Sequence, residues 1–175
     1  MHRHPRTAYV ASDRGRNELG GMSGSSAYVY DESQSPILRI VVPSPPASDS
    51  EFERLLAWHR AELERRRPFA VVFELAAGAG VSVERRERIR RHTRQYEAGF
   101  REYQCALGVV VGSAYQRALA SAVLWIAKPP SPARIFLDRE SALEWARSRM
   151  AATRSADALA ATARPESEPS SRVMR

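Results

Sequence analysis

Cysteine occurs once in the 175 residues, as Cys105. No internal disulfide can form, and a zinc site built from cysteines is excluded. Lysine also occurs once, as Lys128, against 26 arginines. A skew that strong points to a high-GC, bacterial genome rather than to a physical need. Long apolar runs are missing too. The longest, Ala118 to Ala127, is interrupted by Ser121 and is about half of the ~20 residues that a membrane-crossing helix needs. The N-terminus, Met-His-Arg-His-Pro-Arg, has no apolar stretch behind it, so a signal peptide is not expected and a cytoplasmic location is. Catalytic signatures are equally scarce. There is no His-x-x-x-His pair and no Glu-x-x-His, and no Ser/His/Asp set can be assembled, so neither a metal site nor a cofactor is expected.

What is present has the balance of a globular chain, with 43% hydrophobic and 27% charged residues. The net charge is +7, but eight of the arginines fall in residues 1–25 and 151–175, leaving 19 basic and 15 acidic residues between. That is mildly basic and does not mark a dedicated polyanion binder. Residues 1–25 are rich in Arg, Gly and Ser without apolar periodicity and read as a disordered arm. Residues 153–175 read as a disordered tail, with Pro165 and Pro169 keeping it irregular and an Ala-rich start that can extend the last helix.

Between them, over 26–152, strands and helices alternate. Ala27–Tyr30 is a short strand. Ile37–Val42 is a second, apolar on both faces except Arg39. A helix follows, with capping boxes available at Ser50/Glu53 and at Ser48/Glu51. Its stripe of Phe52, Leu55, Leu56, His59 and Leu63 has helical spacing, and Arg65, Arg66 and Arg67 close it. Ala70–Leu75 is a third strand. The small-residue loop Ala76–Gly80 leads to Ser82, which caps a long helix running to about Gln104. Ala106–Val111, a helix over Ala114–Lys128, the strand Arg134–Leu137 and a helix capped by Asp138 complete the order ββαβαβαβα. Strands separated by helices need crossovers. The expected fold is therefore α/β, one domain with a mostly parallel five-stranded sheet covered by four helices.

Three stretches carry a family resemblance: Arg67–Leu75, Ala106–Gly112 and, most distinctively, Arg134-Ile-Phe-Leu-Asp-Arg-Glu-Ser-Ala-Leu-Glu-Trp145. Together they resemble the STAS superfamily (sulfate transporter and anti-sigma factor antagonist), in its bacterial SpoIIAA-like, STAS/SEC14 branch. The resemblance implies a non-catalytic regulatory or scaffolding module acting through protein–protein contact. It also implies a phosphorylated Ser or Thr at the start of the helix after the third strand, and Ser82 stands there. The Asp-Ser-Ser-Gly type of motif is absent, replaced by Gly80-Val-Ser-Val-Glu84. The SEC14 side of the resemblance implies an alternative, a lipid or other apolar small molecule held between sheet and helices.

Individual residues sharpen these expectations. Gly78, Gly80 and Ser82 form a turn that could receive an anion on free amides, although it matches neither a dinucleotide nor a P-loop fingerprint; helix capping is the simpler reading. Arg86, Arg90 and Arg94 lie on a helix crowded with arginine and offset by Glu84, Glu87, Glu97 and Glu102. This face is either solvated and laced with ion pairs or docks an acidic protein partner. Nucleic acid is disfavoured, because Tyr96, Phe100 and Tyr103 follow the core period and so are not free to stack on bases. His59 is expected to be partly buried, His92 exposed among arginines, and Cys105 packed as a small hydrophobe. Glu74 ends the third strand without a carboxylate partner. The helix over 114–128 is apolar too widely for a one-sided surface helix, which leaves open a deep position, a homodimer contact or a ligand pocket.

Overall fold

Alternation of side chains along the strands decides which helices each strand residue meets. The computed structural model describes residues 27–162. Its elements are β1 (Val29–Asp31), β2 (Ile37–Val42), α1 (Asp49–Glu64), β3 (Phe69–Leu75), α2 (Val83–Gln95), α3 (Glu97–Tyr103), β4 (Gln104–Val110), α4 (Ala114–Ala127), β5 (Ala133–Phe136) and α5 (Arg139–Thr162). The sheet order is β1-β2-β3-β4-β5. β1 pairs antiparallel with β2, and the remaining pairs are parallel. This is the mostly parallel five-stranded α/β architecture expected from the sequence.

Sequential order has a consequence for the layers. Crossovers of one hand, taken strand after strand in the same direction, all land on the same face of the sheet. Leu38 and Ile40 of β2 and Phe69 and Val71 of β3 pack there with Phe52, Leu55 and Leu63 of α1 and Phe100 of α3. Val109 of β4 and Val111, just beyond its end, meet Ala120 of α4 on the same side. The opposite face is left to α5. Ala70, Val72, Ala106 and Val110 turn that way, onto Ala142, Leu143, Ala146 and Met150. Small residues let α5 come close: a Cβ on Gly108 would lie 3.4 Å from Val72 Cγ2 and 3.8 Å from Ala142 Cβ. Each large apolar side chain buried in these layers contributes about 1.5–3 kcal/mol.

Serine caps start three of the helices. Ser48 accepts from the Glu51 amide, Ser82 from the Arg85 amide and Ser113 from the Gln116 amide. Asp138 accepts from the Ser141 amide at the start of α5. Of the two caps open to α1, the chain thus uses Ser48 rather than Ser50, which starts the helix two residues earlier, at Asp49.

Two expectations need correction. The long helix after β3 is two helices, so five cover the sheet rather than four. The break falls at Tyr96, with φ −111° and ψ 22°, whose N–H still bonds the His92 carbonyl. The turn lets α3 bury Phe100 against α1 and the sheet, whereas α2 buries no residue fully. At the other end, α5 runs to Thr162, ten residues past the boundary at 152, because its Ala-rich continuation has high helix propensity. The N-terminal arm and the tail beyond 162 lie outside the described residues. Among the described residues no helix is long and apolar enough to cross a membrane.

Candidate functional site

A pocket of about 170 Å³ lies between the sheet and the four helices on the crowded face. The sheet supplies Phe73, Leu75, Leu107 and Val109 as its floor; α1 contributes Leu55, Leu56 and His59. The far wall is α4, through Leu119, Ala120, Val123 and Leu124, and α2 covers the top with Ile89, His92 and Thr93. The breadth of apolar sequence in α4 is thereby accounted for in part. Its inner side lines the pocket, while Tyr115 and Trp125 are 73% and 75% exposed on its outer side.

Two imidazoles stand in this apolar lining. The rings of His59 and His92 are 6.2 Å apart. His59 also meets Phe73 and Phe100 edge-on, at 5.8 and 5.9 Å. The Nε2 atoms of both histidines are buried without a hydrogen-bond partner. Burial pushes the His59 imidazole down to about 3, and the neighbouring His92 adds to the effect, so the ring is neutral. Burial also lowers His92, with a smaller contribution from Arg60. The expectation of a partly buried His59 understated its burial. The expectation of an exposed His92 is corrected, since the α2 face that carries it turns inward over the pocket. Sequence spacing alone could not pair them, because they come from helices separated by a strand.

The arginines divide by task. Arg85 fastens α2 to the start of α1: its Nη2 donates to the Ala47 carbonyl at 2.5 Å and to Asp49 at 3.0 Å. Arg88 pairs with Asp49 and Glu53. Both guanidinium groups lie over the Phe52 ring, at 5.2 and 4.9 Å from its centroid. Of the three singled out as a partner surface, Arg90 is paired with Glu87. Arg86 is half-buried with an unpartnered Nε. Arg94 is exposed and, like Arg91, makes no ion pair among the described residues.

The turn before α2 has a structural task. Gly78 has φ +76°, which favours glycine, and its missing Cβ would stand 3.1 Å from Ser44 Oγ. Gly80 lies at the pocket, and Ser82 is the exposed cap. Gln116 of α4 ties this loop down, donating to the Ala76 carbonyl at 2.6 Å and accepting from the Gly112 amide at 2.8 Å. Glu74 is far from isolated. It accepts from Arg39 and, through both oxygens, from Arg139, and these bonds hold its carboxyl below the usual range. Cys105 packs in the cluster on the α5 side of the sheet, away from the pocket. Among the described residues no group of three or more His, Cys, Asp or Glu side chains is placed to hold a metal ion.

Among solved structures, the chain is similar to an uncharacterized protein of the DUF3478 family with a SpoIIAA-like fold, from Shewanella loihica PV-4. The two are 14% identical, the likeness covers 72% of this chain and 99% of that one, and the TM-score is 0.47. The fold named there is the one that the sequence resembles; the architecture itself rests on the strand order and pairing described above. No curated protein matches the chain. Residues 34–149, from the turn before β2 to within α5, match the family described as "Domain of unknown function (DUF7793)", and the chain belongs to that family.

Proposed function

We propose that this protein is a non-catalytic binding module that takes an apolar small molecule into the pocket between its sheet and α1–α4. The observation that carries this reading is the pocket itself. Protein interiors pack to crystal density and leave few voids larger than a water molecule. A space of about 170 Å³ with an apolar lining, closed on one side by a helix that buries none of its own residues, is an exception to that rule. An engineered cavity of about 150 Å³ lined by Leu, Ile and Phe stays dry and accepts benzene, which sets the scale of the occupant. A non-catalytic role is supported by what stands beside the two imidazoles of the pocket: its lining holds no carboxylate and no thiol, since Glu74 is engaged by two guanidinium groups and Cys105 is on the other face.

The test is a titration of the full chain with toluene, followed by methyl NMR. Saturable shifts are expected at Leu55, Leu119 and Val123, with Ile37, Val72 and Leu143 on the α5 side unmoved. Shifts spread over both faces, or none, would contradict the reading.

A second reading, regulation through contact with an acidic protein, is favoured by Arg91 and Arg94, exposed and without ion pairs among the described residues. The exposed Ser82 at the start of α2 would then be the modified residue, as the STAS resemblance implies. Changing Arg86, Arg90 and Arg94 together to Glu is expected to abolish partner capture from the producing cell, with the fold of the variant checked by circular dichroism because Arg86 is half-buried and Arg90 is paired with Glu87. Unchanged capture removes this surface from consideration.

A further inference from the structure

β5 ends the sheet, and its free side is complementary to itself. We propose that two copies of this chain pair their β5 strands antiparallel about a two-fold axis, joining the two sheets into one of ten strands. The pocket beneath α2 shares no lining residue with this edge, so failure of one reading leaves the other untouched.

The backbone comes first. β5 has β4 as its one neighbour in the sheet. The carbonyls of Pro132 and Phe136 accept from the amides of Leu107 and Val111, so these alternate residues turn their backbone towards β4. By the same alternation Ile135 turns its N–H and C=O outwards. Unpaired groups of this kind are a template for another strand. They are also within reach: an open groove of about 540 Å³ follows the edge from Arg134 to Asp138, between Arg117 of α4 and Glu144 of α5.

Side chains identify the partner. Arg117, Arg134, Asp138 and Glu144 line this one groove, yet none of the four makes an ion pair among the described residues. A lone charge on an edge strand repels a copy of itself, which is how many edges are blunted. Here the spacing produces the opposite. Arg134 and Asp138 stand two residues before and two after Phe136. An antiparallel copy reverses the order, so an axis at Phe136 sets Arg134 of each copy against Asp138 of the other. The same register sets Ile135 against Leu137, which is 66% exposed. Opposite charges and apolar pairs both stabilise cross-strand neighbours, and a contact of this isologous kind closes as a dimer. Arg134 lies over the Phe136 ring, 5.4 Å from its centroid, which keeps its guanidinium on the side of the strand that Asp138 also takes. The oxygens of Asp138 each accept one bond from Ser141, and an ionised carboxylate has about four acceptor sites, so the cap of α5 survives the pairing. A peptide of one charge sign meets like charge at one end of the groove, whereas a second copy matches both ends.

Sedimentation equilibrium of the full chain over a dilution series tests the proposal. It is run on the wild type, on Arg134→Glu, and on Arg134→Glu combined with Asp138→Asn. Arg134 is exposed and Asn serves as a helix cap as well as Asp does, so both variants should fold, as circular dichroism checks. The wild type is expected to dimerise reversibly. Arg134→Glu opposes like charges twice in each dimer and should weaken association by about tenfold or more. Adding Asp138→Asn removes that repulsion and should recover part of the loss. A wild type that stays monomeric at every concentration overturns the proposal. A dimer that Arg134→Glu leaves unchanged does so too, because its interface then lies elsewhere. A loss that Asp138→Asn fails to recover also overturns it, since Asp138 is then not the opposed residue.

Discussion

Arg139 donates to both oxygens of Glu74, from Nε and Nη2 at 2.9 Å each, and so joins the start of α5 to the end of β3. Arg39 of β2 donates to the same carboxylate at 2.8 Å and reaches Asp31 of β1 at 3.4 Å. Three strands and a helix on the α5 side are thus linked by one chain of charges. Forked pairs of this kind are the stronger ion pairs, but Arg139 is half-exposed and screened. Glu74→Gln is therefore expected to cost only about 1 kcal/mol, read as a lower urea midpoint at neutral pH. The Glu74 carboxyl is held down in the folded state, so its contribution is present above the ordinary carboxylate range and lost as pH falls through the folded value. The gap between wild type and Glu74→Gln should narrow in acid. A constant gap would contradict the assignment.

His59 gives a second pH signature, of known sign. Its folded value lies at about 3, well below the ordinary imidazole value of 6.5. Between those limits the unfolded chain binds a proton that the folded chain refuses. Stability is full above about pH 6.5 and falls as pH drops towards 3. Between pH 7 and pH 5 the loss from this one group is about 2 kcal/mol, and His92, lowered for the same main reason, acts in the same direction. Urea unfolding at the two pH values should show this loss in the wild type and a smaller one in His59→Phe. Equal losses in the two proteins would count against a neutral, buried His59.

The cover of the pocket is held by polar contacts more than by burial. α2 buries no residue fully, and Arg85 carries its anchoring to Ala47 and Asp49. Hydrogen bonds made by charged groups contribute about 1.5–3 kcal/mol. Arg85→Ala should therefore raise amide hydrogen exchange over residues 83–95 by about tenfold. β3 and β4 should keep their protection. Exchange rising equally in the sheet would show that Arg85 supports the whole fold rather than this helix.

Ala120 lies where α4 meets both the core and the pocket, buried against Val109 and Val111. Enlarging a side chain in a filled core costs about 1–3 kcal/mol. Ala120→Leu should escape that cost by growing into the empty space, keeping the melting midpoint while removing the toluene-induced methyl shifts. A large drop in the midpoint would mean that the space is not available.

The parts of this fold that could be read from the sequence are those set by local chemistry. Strand–helix alternation, the serine caps and the Asp138 cap depend on residues within a few positions of one another. So does the apolar stripe of α1, which holds with Phe52, Leu55, His59 and Leu63 buried. The break at Tyr96 was hidden because Gln95-Tyr96-Glu97 contains neither Gly nor Pro. It arises from the need to seat Phe100 against the sheet. The site was hidden for the same reason. His92 sits among arginines in the sequence, and only the crossover geometry that stacks α1 and α2 on one face turns it towards His59. Arg85 and Arg88 read as part of a charged face, yet they serve as fasteners to the N-terminal end of α1. The apolar width of α4 was visible, and its division between pocket and exposed outer side required its position beside β4.

The most direct test of the pocket is a crystal of the wild-type protein under xenon pressure. Xenon enters apolar cavities of this size without needing any polar partner. The account predicts one xenon site bounded by Leu55, Phe73, Leu119 and Val123, with the surrounding backbone unmoved. A space filled by ordered water or closed by collapsed side chains, with no xenon in it, would contradict the central claim.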